Sequence, residues 1–136
     1  MPVEIRRVDY FYTSLKDQPG EACSLLAQLA SSDVNLLAFG AVPVGPARAQ
    51  LTLYPESVPR LAAAAEKIGL VLDGPHPALL VCGDDELGAL AEIHQKLADV
   101  RVNVYAANGL TDGRGTFGYL IHVKPEDIDA ALNALI

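Results

Sequence analysis

The chain repeats itself at a fixed distance, and that repeat constrains the fold more than any bulk property does. Positions 68 apart match: Asp17 and Asp85, Gly20 and Gly88, Leu25 and Ile93, Leu29 and Leu97, Ala30 and Ala98, Val34 and Val102, Asn35 and Asn103, Ala38 and Ala106. Pro55-Glu56 recurs as Pro125-Glu126 at a distance of 70, so the second copy carries two extra residues in its hairpin. One offset held across a turn, a helix face and a strand is the mark of a duplicated supersecondary unit.

Each copy has the same plan. In the first, Val8 to Thr13 is rich in aromatic and β-branched residues and reads as a strand. Lys16-Asp17-Gln18-Pro19-Gly20-Glu21 then turns the chain into a helix. Pro19 suits the first helical position, Gly20 permits close approach, Asp17 is the capping candidate, and Glu21 favours the positive helix end. Ala22, Leu25, Leu26, Leu29 and Ala30 recur at helical spacing. Strands are predicted at 34–39 and 48–54 around the Pro43–Pro46 turn. A helix follows, opened by Pro55–Pro59, turned inward by Leu61, Ala64, Ala65 and Ile68, and ended by Gly69. A short strand is predicted at 70–73. The order is therefore strand, helix, strand, strand, helix, strand.

Gly74-Pro75-His76-Pro77 reads as a stiff, irregular boundary, which places one repeat at 1–73, a linker at 74–77 and a second repeat at 78–136. The plan then restarts with a strand at 78–82 and a turn at 83–88. The next helix presents Leu90, Ile93, His94, Leu97 and Ala98, and strands at 100–106 and 116–123 flank a hairpin turn at 111–115. The last helix runs from Pro125 to Ile136, so the second copy lacks its own fourth strand. Either the N-terminal run from Pro2 to Thr13 or a partner chain fills that place, because an open sheet edge invites pairing.

Composition sets outer limits. The 136 residues suffice for one domain or two very small ones, and 51% hydrophobic against 20% charged residues supports a buried core. A formal net charge of −7 argues against binding nucleic acid or an acidic membrane surface. Cys23 and Cys82 make no disulfide framework, the N-terminus has no apolar signal core, and no apolar run reaches the ~18 residues of a membrane span. These features lead to the expectation of a soluble, cytoplasmic protein.

The pattern Asp17-Gln18-Pro19-Gly20, a helix bearing Leu25 and Leu29, and then Val34-Asn35-Leu36 resembles the ACT domain. The second copy keeps Asp85, Gly88 and Val102-Asn103-Val104 but has Leu87 in place of the proline, so the resemblance favours the first turn over the second as the binding loop. The resemblance spans nearly the whole chain as two tandem copies. It implies an α+β fold of two ferredoxin-like βαββαβ repeats, with antiparallel sheets and helices on one face. It also implies a stand-alone regulatory protein, a homodimer, that binds an amino acid at an interface between repeats or subunits. A partner enzyme or regulator would read the change. The residues carried over are Asp17, Gln18, Pro19, Gly20 and Asn35 in the first copy, and Asp85, Glu86, Gly88 and Asn103 in the second.

The residue types suit that chemistry. Backbone N–H groups at a helix start take a carboxylate, an aspartate takes an ammonium, and an asparagine offers both a donor and an acceptor. Each asparagine has an equally direct structural use, a hydrogen bond tying the strand start to a turn. The tract Asn108–Gly113 reads as a mobile hairpin tip that could also close over a ligand.

Catalysis finds little support in the sequence. His76 lies between prolines, His94 reads as a buried or half-buried structural residue, and His122 as an edge residue at a strand end. Their spacing is not that of metal ligands, and no cofactor is indicated. Two other readings stay open: a small enzyme on a ferredoxin-like scaffold, and an assembly module without a ligand.

Overall fold

The computed structural model describes residues 3–136. It is an α+β fold with a six-stranded antiparallel sheet, hydrogen-bonded in the order β2-β3-β1-β4-β6-β5, and four α-helices. The strands are β1 (Glu4–Lys16), β2 (Leu36–Pro43), β3 (Arg48–Pro55), β4 (Asp73–Asp84), β5 (Ala106–Thr111) and β6 (Thr116–His122). The helices are α1 (Glu21–Ser31), α2 (Val58–Ile68), α3 (Ala89–Asp99) and α4 (Ile128–Leu135), with a 3₁₀ turn at Pro125–Asp127 leading into α4.

Contacts divide the chain into two compact units, Asp9–His76 and the residues up to Val8 together with Pro77–Ile136. β1 and β4 are long because each runs through both units. In the first unit, β2, β3 and the later part of β1 are joined by the opening residues of β4. In the second, β5, β6 and the later part of β4 are joined by the opening residues of β1. The strand missing from the second copy is thus supplied by the chain's own N-terminal segment. Ile5 of that segment packs against the second unit's core.

The expectation of an irregular linker at 74–77, with a separate strand at 70–73, is corrected. Leu70–Leu72 lie outside any strand, and Gly74-Pro75-His76-Pro77 lies within β4. Proline is tolerated in a strand where an edge is open. Pro75 and Pro77 are two residues apart and so remove N–H donors from one side only, and β6 begins to pair with β4 at Leu79. Two further predicted boundaries move. β2 starts at Leu36 and runs on to Pro43, and residues 100–105 are irregular, so β5 starts at Ala106.

In the first unit Phe11 stands opposite Leu53 and Thr13 opposite Leu51. That face of the sheet receives Leu25 and Leu29 of α1 and Leu61 and Ala64 of α2, which together make its core. The core of the second unit joins Leu79 and Val81 of β4 and Phe117 and Ile121 of β6 to Ile93 and Leu97 of α3 and Ala131 and Leu135 of α4. The helical spacing of the sequence therefore yields the buried residues Leu25, Leu29, Leu61, Ala64, Ala65, Ile93 and Leu97 of α1, α2 and α3, whereas Ala30, Leu90, His94 and Ala98 are exposed. α2 is bounded as its residues require. The Ser57 hydroxyl accepts from the Arg60 N–H at 3.3 Å, and Gly69 ends the helix at φ 73°.

Gly74 is a point where only glycine fits. Its φ is +146°, and a Cβ there would stand 2.8 Å from both the Tyr10 carbonyl oxygen and the Phe11 ring. Gly74→Ala should therefore cost about 2 kcal/mol or more, whereas Gly20→Ala, at φ +88° but facing open space, should cost about 1 kcal/mol. Urea denaturation of the two variants beside the parent protein checks the ordering.

Candidate functional site

The two strand-to-helix turns are built alike. Gly20 and Gly88 precede α1 and α3 with φ of 88° and 87°, and neither helix start carries a side-chain cap. The conformation is the left-handed one that glycine adopts without strain, and a Cβ at either position would meet nothing within 4 Å. The turn closes through backbone bonds, Glu21 N–H to the Gln18 carbonyl at 3.3 Å and Ala89 N–H to the Glu86 carbonyl at 3.1 Å. Each strand end is tied to a hairpin tip: Asp17 N–H donates to Ala47 O at 2.9 Å, and Asp85 N–H to Gly115 O at 2.8 Å. Three expectations are corrected here. Asp17 does not cap α1, Pro19 stands ahead of the N-cap rather than inside the helix, and Gly20 serves a positive φ with no protein backbone close to it. The first-turn N–H groups of both helices, which have no intrahelical acceptor, are thus free of side-chain caps.

The second turn borders an open cleft of about 690 Å³, within the ~300–1,000 Å³ range of small-molecule pockets. Asp85, Glu86 and Gly88 of the turn line it, together with Leu90 and Ala91 on the first turn of α3, Gly109–Thr111 on β5, and Phe117 on β6. Leu87 and Leu110 stand at its rim and are fully and largely exposed, at 108% and 77%. The cleft thus combines two carboxylates, an uncapped helix start and an apolar wall. Gly109 sits in the wall because a Cβ there would lie 3.0 Å from the Tyr119 ring. A narrower cavity of about 120 Å³ lies behind the same turn, between Glu86, Leu87 and Ala89 and the N-terminal Val3 and Ile5.

Asp17, Gln18, Pro19 and Gly20 are all exposed. Within a unit the turn and its asparagine are not brought together, because the 11-residue α1 separates them by about 16 Å. Asn35 instead bonds the β3–α2 connection: its Nδ2 donates to Glu56 Oε2 at 2.9 Å, and the Glu56 N–H donates to the Asn35 carbonyl at 2.8 Å. Asn103 is exposed and does not line the cleft at the second turn. The tract 108–113 is mostly strand, and the hairpin tip is Asp112–Gly115. Asp112 organises that tip, accepting from the Thr116 hydroxyl at 2.5 Å and the Arg114 N–H at 2.7 Å, and these bonds, that from Thr116 first, hold its carboxyl below the usual range.

The histidines fall differently from their sequence reading. His76 is half-buried, its ring 5.3 Å from Tyr10 and 5.4 Å from Tyr12, with Nε2 3.3 Å from Asp73. His94 is exposed, and its Nε2 lies 2.7 Å from the hydroxyl of buried Tyr119. His122 is buried, not an edge residue, and burial lowers its pKa. Among the described residues no group of three His, Cys, Asp or Glu gathers as a metal site, and no helix is long and apolar enough to cross a membrane.

No family model and no curated protein matches the sequence. Solved structures do. The chain is similar to a protein from Bacteroides thetaiotaomicron, with a TM-score of 0.79, 14% identity, and coverage of 96% of this chain and 88% of that one. It is similar to the regulatory subunit of aspartate kinase from Thermus thermophilus, with a TM-score of 0.67, 18% identity, and coverage of 98% and 93%. The corresponding subunit from Thermus flavus gives a TM-score of 0.58, 20% identity, and coverage of 99% and 95%. At these identities the likeness establishes the fold, which is ACT-like.

The depressed pKa of His122 makes a stability prediction. Between its folded pKa and the unfolded value near 6.5 the unfolded chain binds more protons, so stability falls as pH falls through that window. His122→Gln should show a shallower loss of stability from pH 7 to pH 5 than the parent protein, read from urea midpoints at each pH.

Proposed function

We propose that the protein is a regulatory module of two ACT-like repeats that binds an amino acid at the second turn. The observation that carries this reading is the cleft of about 690 Å³ at Asp85–Gly88. Its parts match the two ends of a zwitterion. The uncapped N–H groups at the start of α3 suit the α-carboxylate, and Asp85 or Glu86 suits the ammonium. Leu90, Leu110 and Phe117 offer an apolar wall to the side chain. Asp17–Gly20 forms the same backbone device and stands as the equivalent position in the first repeat, with Asn35 and Asn103 as polar groups at the far ends of the two helices.

The cleft opens beside β5, a terminal strand of the sheet, where Leu87 and Leu110 are exposed. A second copy pairing at that edge would cover both leucines and close the site, which is the sense in which binding would couple to subunit packing. The similarity to regulatory subunits of aspartate kinase supports a regulatory role in kind. An enzyme on this scaffold would need a nucleophile or an acidic group beside a histidine, and His94 instead meets the Tyr119 hydroxyl at 2.7 Å.

A thermal-shift screen of the free amino acids tests the proposal. The right ligand should raise Tm progressively with concentration, by the equivalent of about 2.7 kcal/mol at a hundred times its Kd. If no amino acid at millimolar concentration moves Tm, the sensor reading fails and the assembly module takes its place.

A further inference from the structure

The first unit holds a second cleft, of about 550 Å³, whose chemistry differs from that at Asp85. β1 and β3 pair with Lys16 opposite Arg48 and Ser14 opposite Gln50. Tyr12, Ser14, Lys16, Arg48 and Gln50 therefore share one face of the sheet, opposite to that of Phe11, Leu51 and Leu53 in the core. Two cations stand directly across from each other, an arrangement that is repulsive on its own. Among the described residues neither makes an ion pair, in a chain of net charge −7 that has carboxylates to spare.

Arg48 is also held in place. Its Nε and Nη2 both donate to the Ser14 hydroxyl, at 3.2 and 2.7 Å, which fixes the guanidinium against the sheet and leaves Nη1 uncommitted. Tyr12, Ser14, Arg48 and Gln50 line the cleft, and Val44 and Val71 line it too, although they are 43% and 83% exposed. The loop bearing Val71 is anchored by the Thr13 hydroxyl, which donates to the Val71 carbonyl at 2.9 Å. Asp73 also lines the cleft, with its carboxylate 3.3 Å from His76.

We infer that this cleft binds a small organic carboxylate. The Arg48 guanidinium is the docking group, Lys16 adds the second positive charge, and Val44 and Val71 cover the apolar part of the molecule. A fixed guanidinium matches the planar geometry of a carboxylate, and less freedom is lost on binding because Ser14 already orients it. An anion between Lys16 and Arg48 relieves their mutual repulsion. The overall negative charge of the protein repels anions at a distance, so occupancy depends on these local groups rather than on long-range attraction. The site shares no residue with the amino-acid cleft, and every residue of it belongs to the first unit.

The test is an NMR titration of the full-length, ¹⁵N-labelled protein with sodium butyrate, set beside butylammonium chloride and sodium chloride at equal ionic strength. Butyrate should shift the Arg48 Nε–H and the amides of Ser14, Val44, Gln50 and Val71 saturably, while the other two salts leave them unmoved. Arg48→Gln should weaken butyrate by about tenfold or more, the scale of one charge-assisted hydrogen bond, and Lys16→Gln by a smaller factor. Both side chains are exposed, and unchanged amide signals of the first unit's core, Leu25, Leu29, Leu53 and Leu61, confirm that each variant is folded. Butyrate shifts reproduced by sodium chloride, or butyrate affinity unchanged in Arg48→Gln, would overturn the assignment.

Discussion

Two strands carry the architecture, because each serves two cores. β1 gives Ile5 to the second unit and Phe11 to the first. β4 lies beside Tyr10 and Phe11 at Gly74 and beside Val3 at Gly83. Alternation along a strand fixes which side chains face the helices, so a slip of one residue in β1 would turn both Phe11 and Ile5 out of their cores. The register of β1 against β3 and of β4 against β6 is therefore set from both ends. The helices follow from it. α1 and α2 cover the face that presents Phe11 and Leu53, and α3 and α4 cover the one that presents Val81 and Ile121.

The strand-to-helix turns inherit their positions from that framework. The end of β1 and the end of β4 each deliver an aspartate whose N–H is held by a hairpin tip, and each next helix begins after a left-handed glycine without a side-chain cap. The two turns differ in what surrounds them. Leu87 stands where the first turn has Pro19, and together with Leu90 and Leu110 it makes an apolar border for the second turn. Glu86, Leu87 and Ala89 also border the small cavity at Val3 and Ile5, so the shared strand reaches the back of the candidate site.

Much of this was legible in the residues. The 68-residue repeat located both turns, and helical spacing located Leu25, Leu29, Leu61, Ile93 and Leu97. The sharing of strands was not legible, because Gly74-Pro75-His76-Pro77 has the local chemistry of a loop and becomes strand only through neighbours distant in sequence. Leu70–Leu72, apolar and β-prone, is not a strand: it joins α2 to β4, and the Thr13 hydroxyl holds it at the Val71 carbonyl. Of the candidate site, the polar turn residues were readable as a repeated motif, but the apolar wall of Leu90, Leu110 and Phe117 was not. Leu87, an apolar residue at a turn position that the repeat gives to proline, was the available signal. The residue type of Asn35 suits a ligand contact or a structural bond equally, and its bond to Glu56 is the structural use, at work in the first unit.

On the proposed function, the second turn with its cleft is the part of this fold that recognises an amino acid. Asp85 and Asp17 occupy equivalent places in the two turns and make the same backbone bond to a hairpin tip, so exchanging either carboxylate for an amide perturbs the fold equally little. Calorimetric titration of Asp85→Asn and Asp17→Asn with the amino acid that stabilises the parent protein separates the two turns. Loss of about tenfold or more in affinity with Asp85→Asn, and near-parent affinity with Asp17→Asn, is the predicted result. Parent-like affinity in Asp85→Asn would contradict the claim.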